Sequence, residues 1–150
     1  MTEMLFYHLQ RQPVERVLPA LLEKSYERGW KVIVQASTDE RVDALDAHLW
    51  TYKDDGFLPH GTGREQEAAQ QPILLTTGEH NPNGAIVRFL IDGAPVPGDA
   101  DAYERIVLIF DGEDEDAVAT ARTHWGEAKA KGFAVTYWQP DEQGRWIKKA

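Results

Sequence analysis

The densest chemistry in this chain is a run of carboxylates, Asp111-Gly112-Glu113-Asp114-Glu115-Asp116. Acidic side chains at the end of a strand can hold Mg²⁺ and activate water. A small Mg-dependent α/β hydrolase or nuclease using Asp111, Asp114 or Asp116 is therefore one reading of the run. The run lacks the spacing of a calcium loop, and carboxylates at a helix start satisfy the helix dipole without any metal. The five histidines, His8, His48, His60, His80 and His124, form no H-E-x-x-H pair. Cysteine is absent, which removes thiolate metal sites, disulfides and cysteine nucleophiles. Ser25 and Ser37 lie in no G-x-S-x-G elbow. Gly61-Thr62-Gly63 opens like a dinucleotide loop, but Gln66 stands where a third glycine is needed, and no G-x-x-x-x-G-K occurs. The sequence predicts no catalytic residues, no metal and no cofactor.

Binding chemistry is better represented. Arg122, Trp125 and Lys129 recur at i, i+3 and i+7, which lines up a cation, a large ring and a second cation along one helical stripe. Such a stripe suits an acidic peptide with an apolar end, the cations taking carboxylates and the ring walling a pocket. The same spacing equally allows Ala121, Trp125, Ala128 and Gly132 to face a sheet with Arg122 and Lys129 as mere flanks. A second aromatic pair, Trp50 and Phe57 with Pro59, falls where a helix runs into a glycine-rich loop, and either packs on itself or anchors a partner.

The elements that must carry these residues follow from periodicity. Apolar, β-branched runs predict strands at 4–9, 30–35, 72–77, 85–91, 105–110 and 133–139, with an edge strand at 144–147. Val14, Val17, Leu18, Leu21 and Leu22 predict a first helix that Gly29 stops. A second starts near Ser37 or Thr38, and a third spans 114–131 and ends at Gly132. The strands at 72–77 and 85–91 are joined by a link too short for a helix, so as neighbours they would be antiparallel. Residues 51–71 read as a long loop. Four or five strands alternating with three main helices imply an α/β fold, a single three-layer Rossmann-like sandwich with a mostly parallel sheet and no nucleotide-binding loop.

The 150 residues suit one domain, 1–150, and the longest apolar runs are far too short to span a bilayer, so the chain reads as cytoplasmic with no membrane association. The net charge of −9 argues against direct nucleic-acid binding. The charge is uneven, however: residues 121–150 carry six basic against three acidic side chains, whereas residues 1–120 carry ten against 22. A cationic, aromatic patch on an acidic protein points to a protein partner.

Taken end to end, the chain resembles the chi subunit of the bacterial DNA polymerase III holoenzyme. The residues that carry the resemblance are Phe6-Tyr7-His8-Leu9, Leu49-Trp50, Gly56-Phe57-Leu58-Pro59-His60, Phe110-Asp111 leading to Asp116, Ala121-Arg122-Thr123-His124-Trp125, and Lys131-Gly132-Phe133. The resemblance implies a Rossmann-like fold without nucleotide. It implies a non-catalytic subunit, associated with the clamp loader, that grips the acidic, phenylalanine-ended C-terminal tail of single-stranded DNA-binding protein and so touches DNA only indirectly. The matching positions are Arg122 and Trp125, the tryptophan replacing a tyrosine common in the family. Where the family often has a lysine after that ring this chain has Gly126, and Lys129 is the expected substitute. The surface implied for a psi-like subunit, or a helicase-like partner, corresponds to Trp50, Phe57 and Pro59.

Overall fold

The computed structural model describes residues 2–52, 58–63 and 67–150. The element order is β1 (Glu3–Leu9), α1 (Val14–Glu27), β2 (Val32–Gln35), α2 (Asp39–Thr51), β3 (Gly61–Thr62), β4 (Ile73–Thr76), β5 (Val87–Leu90), β6 (Arg105–Asp111), α3 (Glu115–Ala130), β7 (Ala134–Pro140) and β8 (Trp146–Lys148). The strands form one sheet in the order β3-β4-β2-β5-β6-β1-β7-β8, parallel throughout except for the β7–β8 pair. The expected mostly parallel α/β sandwich is therefore present, with more strands than the alternation of main elements implied.

Strand alternation divides the core into two layers. Leu5, Leu9, Val34, Val107 and Ile109 face α1 and α2, which bury Leu18, Leu22, Val42, Leu45 and Leu49 against them. Met4, Phe6, Ile33, Leu108 and Phe110 face the opposite way, where α3 contributes Ala121 and Ala128. The helix ends follow the sequence signals. Thr38 accepts the Arg41 amide at 3.2 Å at the start of α2, and Asp114 accepts the amides of Asp116 and Ala117 at the start of α3. At the end of α3, Gly132 takes φ +84° and lets Phe133 N–H donate to Ala128 O at 3.0 Å, so Phe133 folds back onto the core that Ala128 joins.

Two expectations need correction. The strands β4 and β5 are not antiparallel neighbours: both run parallel to β2 and flank it. Residues 77–86 cross over β2 as bends and a turn at 81–84; ten residues can reach up to about 33 Å, ample to return along a four-residue strand without a helix. Asn83 pins this crossing by donating to Val32 O and Gln71 O at 3.2 and 3.0 Å. The stretch 51–71 is not loop throughout, since Gly61–Thr62 pairs with β4 and Ala68–Gln70 forms a 3₁₀ turn.

Half of the α3 side thus carries loops instead of a helix, and Arg88 lies beneath them, fully buried. Its guanidinium donates to Gln35 Oε1 at 3.0 Å, Tyr103 Oη at 3.1 Å, Gly78 O at 2.6 Å and His80 O at 3.3 Å. Each bond supplies a donor to an acceptor that a crossover helix would have left no room for, and burial holds the Arg88 pKa below its usual value.

Candidate functional site

The α3 half of the same face carries the predicted stripe. Trp125 is half-buried, its ring edge-on to Phe6 at 5.3 Å and to Tyr137 at 6.0 Å. The helix face that packs inward includes Ala121, Trp125 and Ala128, while Arg122 and Lys129 stand exposed along one flank of it. Trp125 therefore covers the core, as the packing reading of the spacing expects, and its exposed side lines a slot. Between α3 and β7 lies a slot of about 320 Å³ lined by Phe110, Val118, Ala121, Arg122, Trp125, Tyr137 and Ala150. This lies at the small end of ligand clefts and suits one apolar side chain.

The electrostatics of the slot come from one residue. Arg122 makes no side-chain hydrogen bond or ion pair among the described residues. Burial pushes the Tyr137 phenol up, and the Arg122 charge beside it pulls it part of the way back. Lys129 does not line the slot; its ammonium sits 5.6 Å over the Trp125 ring, a cation–π contact that steadies the wall. At Gly126, exposed on α3, an added side chain would meet nothing within 4 Å.

Tyr137, Phe110 and His8 were not singled out by spacing, because each comes from a different strand. His8 Nδ1 lies 2.6 Å from Tyr137 Oη, and the His8 ring lies 5.3 Å from Phe110. The imidazole rests so close to Gly112 that a Cβ there would fall 1.9 Å from Nε2. The signal that could have found Tyr137 is alternation along β7, which sets Val135 and Tyr137 on the α3 side and Trp138 on the other.

The second expected surface is partly described. Trp50 ends α2 with 51% of its area exposed, its ring 4.4 Å from that of the buried His60. His60 Nδ1 lies 2.7 Å from Leu58 O, and Nε2 lies 3.1 Å from an Asp46 carboxylate oxygen, so the loop beside Trp50 is anchored to α2. Pro59 is half-buried there, while Phe57 lies outside the described residues.

A larger cleft, about 830 Å³, opens at the carboxyl ends of β1 and β6, where α1 and α3 leave for opposite faces and folds of this kind place ligands. Its lining is acidic: Glu15, Asp92, Asp111, Glu113, Asp114 and Asp116 against Arg11 and Arg41. Arg41 is engaged by Glu15 and Asp92, and Asp111 and Asp114 cap backbone amides. A phosphate would meet repulsion, and among the described residues no three potential ligands converge on a metal position.

Against this geometry the comparisons fall on one family. A family model described as DNA polymerase III chi subunit, HolC, matches residues 1–136. The chain belongs to the DNA polymerase III chi subunit family. A probable DNA polymerase III subunit chi from Rickettsia prowazekii is 27% identical over 117 residues, covering 74% of this chain and 71% of that protein. The DNA polymerase III subunit chi of Pseudomonas aeruginosa is 30% identical over 59 residues, 39% of this chain and 40% of its own length. The match reaches from the Phe6 and His8 positions of this chi-family chain through α3 to the start of β7. No helix among the described residues is long and apolar enough to cross a membrane.

Proposed function

We propose that this chain is a non-catalytic accessory subunit of the bacterial DNA polymerase III holoenzyme, associated with the clamp loader. In this reading it grips the acidic C-terminal tail of single-stranded DNA-binding protein and links that protein to the replicase. The observation that carries the reading is the pairing of an apolar, ring-walled slot with an exposed arginine that has no hydrogen-bond or ion-pair partner among the described residues. A terminal phenylalanine packs in the slot against the outer faces of Trp125 and Tyr137, and Arg122 takes a carboxylate at the mouth. Lys129 acts by holding the Trp125 ring and adding positive potential. Trp50 and Pro59 are the described part of the separate surface for a psi-like or helicase-like partner, to which the sequence resemblance also assigns Phe57, and neither surface asks the acidic chain to hold phosphate.

The test is a titration of the full chain with a fluorescent peptide ending in Asp-Asp-Ile-Pro-Phe, beside the same peptide without its last residue, at low and high salt. Binding that requires the phenylalanine and weakens with salt supports the reading. Equal binding of the two peptides, or none at either salt, removes it.

A further inference from the structure

Beyond Lys148 the edge strand β8 runs into a distortion that changes which side chains reach the slot. The register pairs Trp138 with Lys148 and Gln139 with Ile147. Past it, the amides of Lys149 and Ala150 both donate to Tyr137 O, at 2.6 and 3.4 Å, and the Tyr137 amide donates to Ala150 O at 3.2 Å. Two residues therefore oppose one, the hydrogen-bond signature of a β-bulge, a device that re-aims side chains at the end of a ladder. Simple alternation would send Lys149 and Ala150 to opposite faces. Instead Ala150 lines the slot with Trp125, and Lys149 lines the adjoining cleft of about 720 Å³ with His8 and Gln139. The His8–Tyr137 hydrogen bond joins the lining of the cleft, which holds His8, to that of the slot, which holds Tyr137.

This wall answers a need that the helix leaves open. Gly126 carries no charge and Lys129 is occupied over Trp125. The adjoining cleft also holds Arg11, Glu113 and Glu142, and its Asp141 is paired with Arg145, but Lys149 is the cation joined through its own backbone to the slot wall Tyr137. We propose that Lys149, which the β7–β8 register places across from Tyr137 while the bulge brings Ala150 to the same side, is a specificity-determining residue that receives the carboxylates preceding the apolar end of a bound acidic peptide. The proposal rests on the reading of the slot given above. Lys148, set on the opposite face beside Trp138, is its charge-matched control.

The experiment crosses variants with peptides by fluorescence anisotropy at low salt, using Asp-Asp-Ile-Pro-Phe and its neutral isostere Asn-Asn-Ile-Pro-Phe. Lys149→Ala weakens the acidic peptide about two- to fivefold, as loss of an exposed charge pair does, and leaves the neutral one unchanged, while Lys148→Ala changes neither. No loss, an equal loss on both peptides, or the same loss with Lys148→Ala overturns the assignment of Lys149. Arg122→Glu separates the two levels: if it abolishes binding while Lys149→Ala has no effect, the slot stands and only Lys149 falls. If Arg122→Glu is also without effect, the slot reading fails and the proposal with it.

Discussion

Two arginines on the same side of the sheet meet opposite fates. Arg88 lies under the loops that cover β2 and β5, fully buried, with four acceptors from its own chain. Arg122 stands on α3 over an open slot, exposed and without a bonded partner among the described residues. Where the chain crosses as loop, unpaired carbonyls remain and a buried cation satisfies them. Where it crosses as helix, the backbone satisfies itself and the cation stays at the surface. The difference teaches that the cover above a strand decides whether a basic side chain is consumed by the fold or left exposed, as the proposed peptide site requires.

The largest effect should come from emptying the sealed half. Arg88→Met leaves Gln35, Gly78 and His80 oxygens without a donor and is expected to cost about 3–5 kcal/mol of unfolding free energy by chemical denaturation, with peptide affinity of the folded fraction unchanged. A loss below about 1 kcal/mol would show that the loops hold without it. In the open half the order reverses. Trp125→Ala should remove about 1–3 kcal/mol of affinity for the phenylalanine-ended peptide, with a smaller loss of stability because the ring also covers Phe6. If it abolishes folding instead, Trp125 belongs to the fold in the way Arg88 does, and the contrast collapses.

Gly126→Lys sharpens the comparison from the other direction. Open space surrounds this exposed helical position, so the variant should gain about 0.5–1 kcal/mol of stability from helix propensity and bind the acidic peptide more tightly. Thermal melts and the same titration read both. The smallest effect is a pH dependence from His8, whose pKa burial holds below the usual histidine value. The unfolded chain takes up the proton first as pH falls, so this contribution is fully present above about 6.5 and is lost as pH drops from there through the folded value. His8→Gln should flatten that part of a stability-against-pH curve while leaving the carboxylate region below it intact.

Much of this was legible in the sequence, and the parts that were not share a cause. Apolar runs placed the strands, and Gly29 and Gly132 marked where α1 and α3 stop, because period and left-handed φ are local properties. The order of strands is not local, so the short link from β4 to β5 did not reveal whether the two are neighbours, and it is a crossing over β2. Arg88 reads as an ordinary polar position inside an apolar strand until the loops above it are known. At the slot, Arg122 and Trp125 were visible from helical spacing, but the opposite wall was not: Phe110, Tyr137 and Ala150 come from two strands and a bulge, with His8 of a third strand behind Tyr137. Lys129 was placed on the right stripe, and only packing shows that its charge rests over Trp125.

The sheet order has a further consequence, for the time course of folding. The first strand made, β1, lies between β6 and β7, pairing Glu3 with Arg105 on one side and Ala134 on the other. A growing chain therefore carries β1 without its sheet neighbours until the last third is synthesised, a high contact order that slows closure and leaves apolar edges waiting. The slot assembles last of all, since its wall Tyr137 is held by a hydrogen bond to His8 across 129 residues of sequence. In the proposed reading, peptide capture is thus a readout of completed folding, expected to be absent from any fragment that lacks either end of that span.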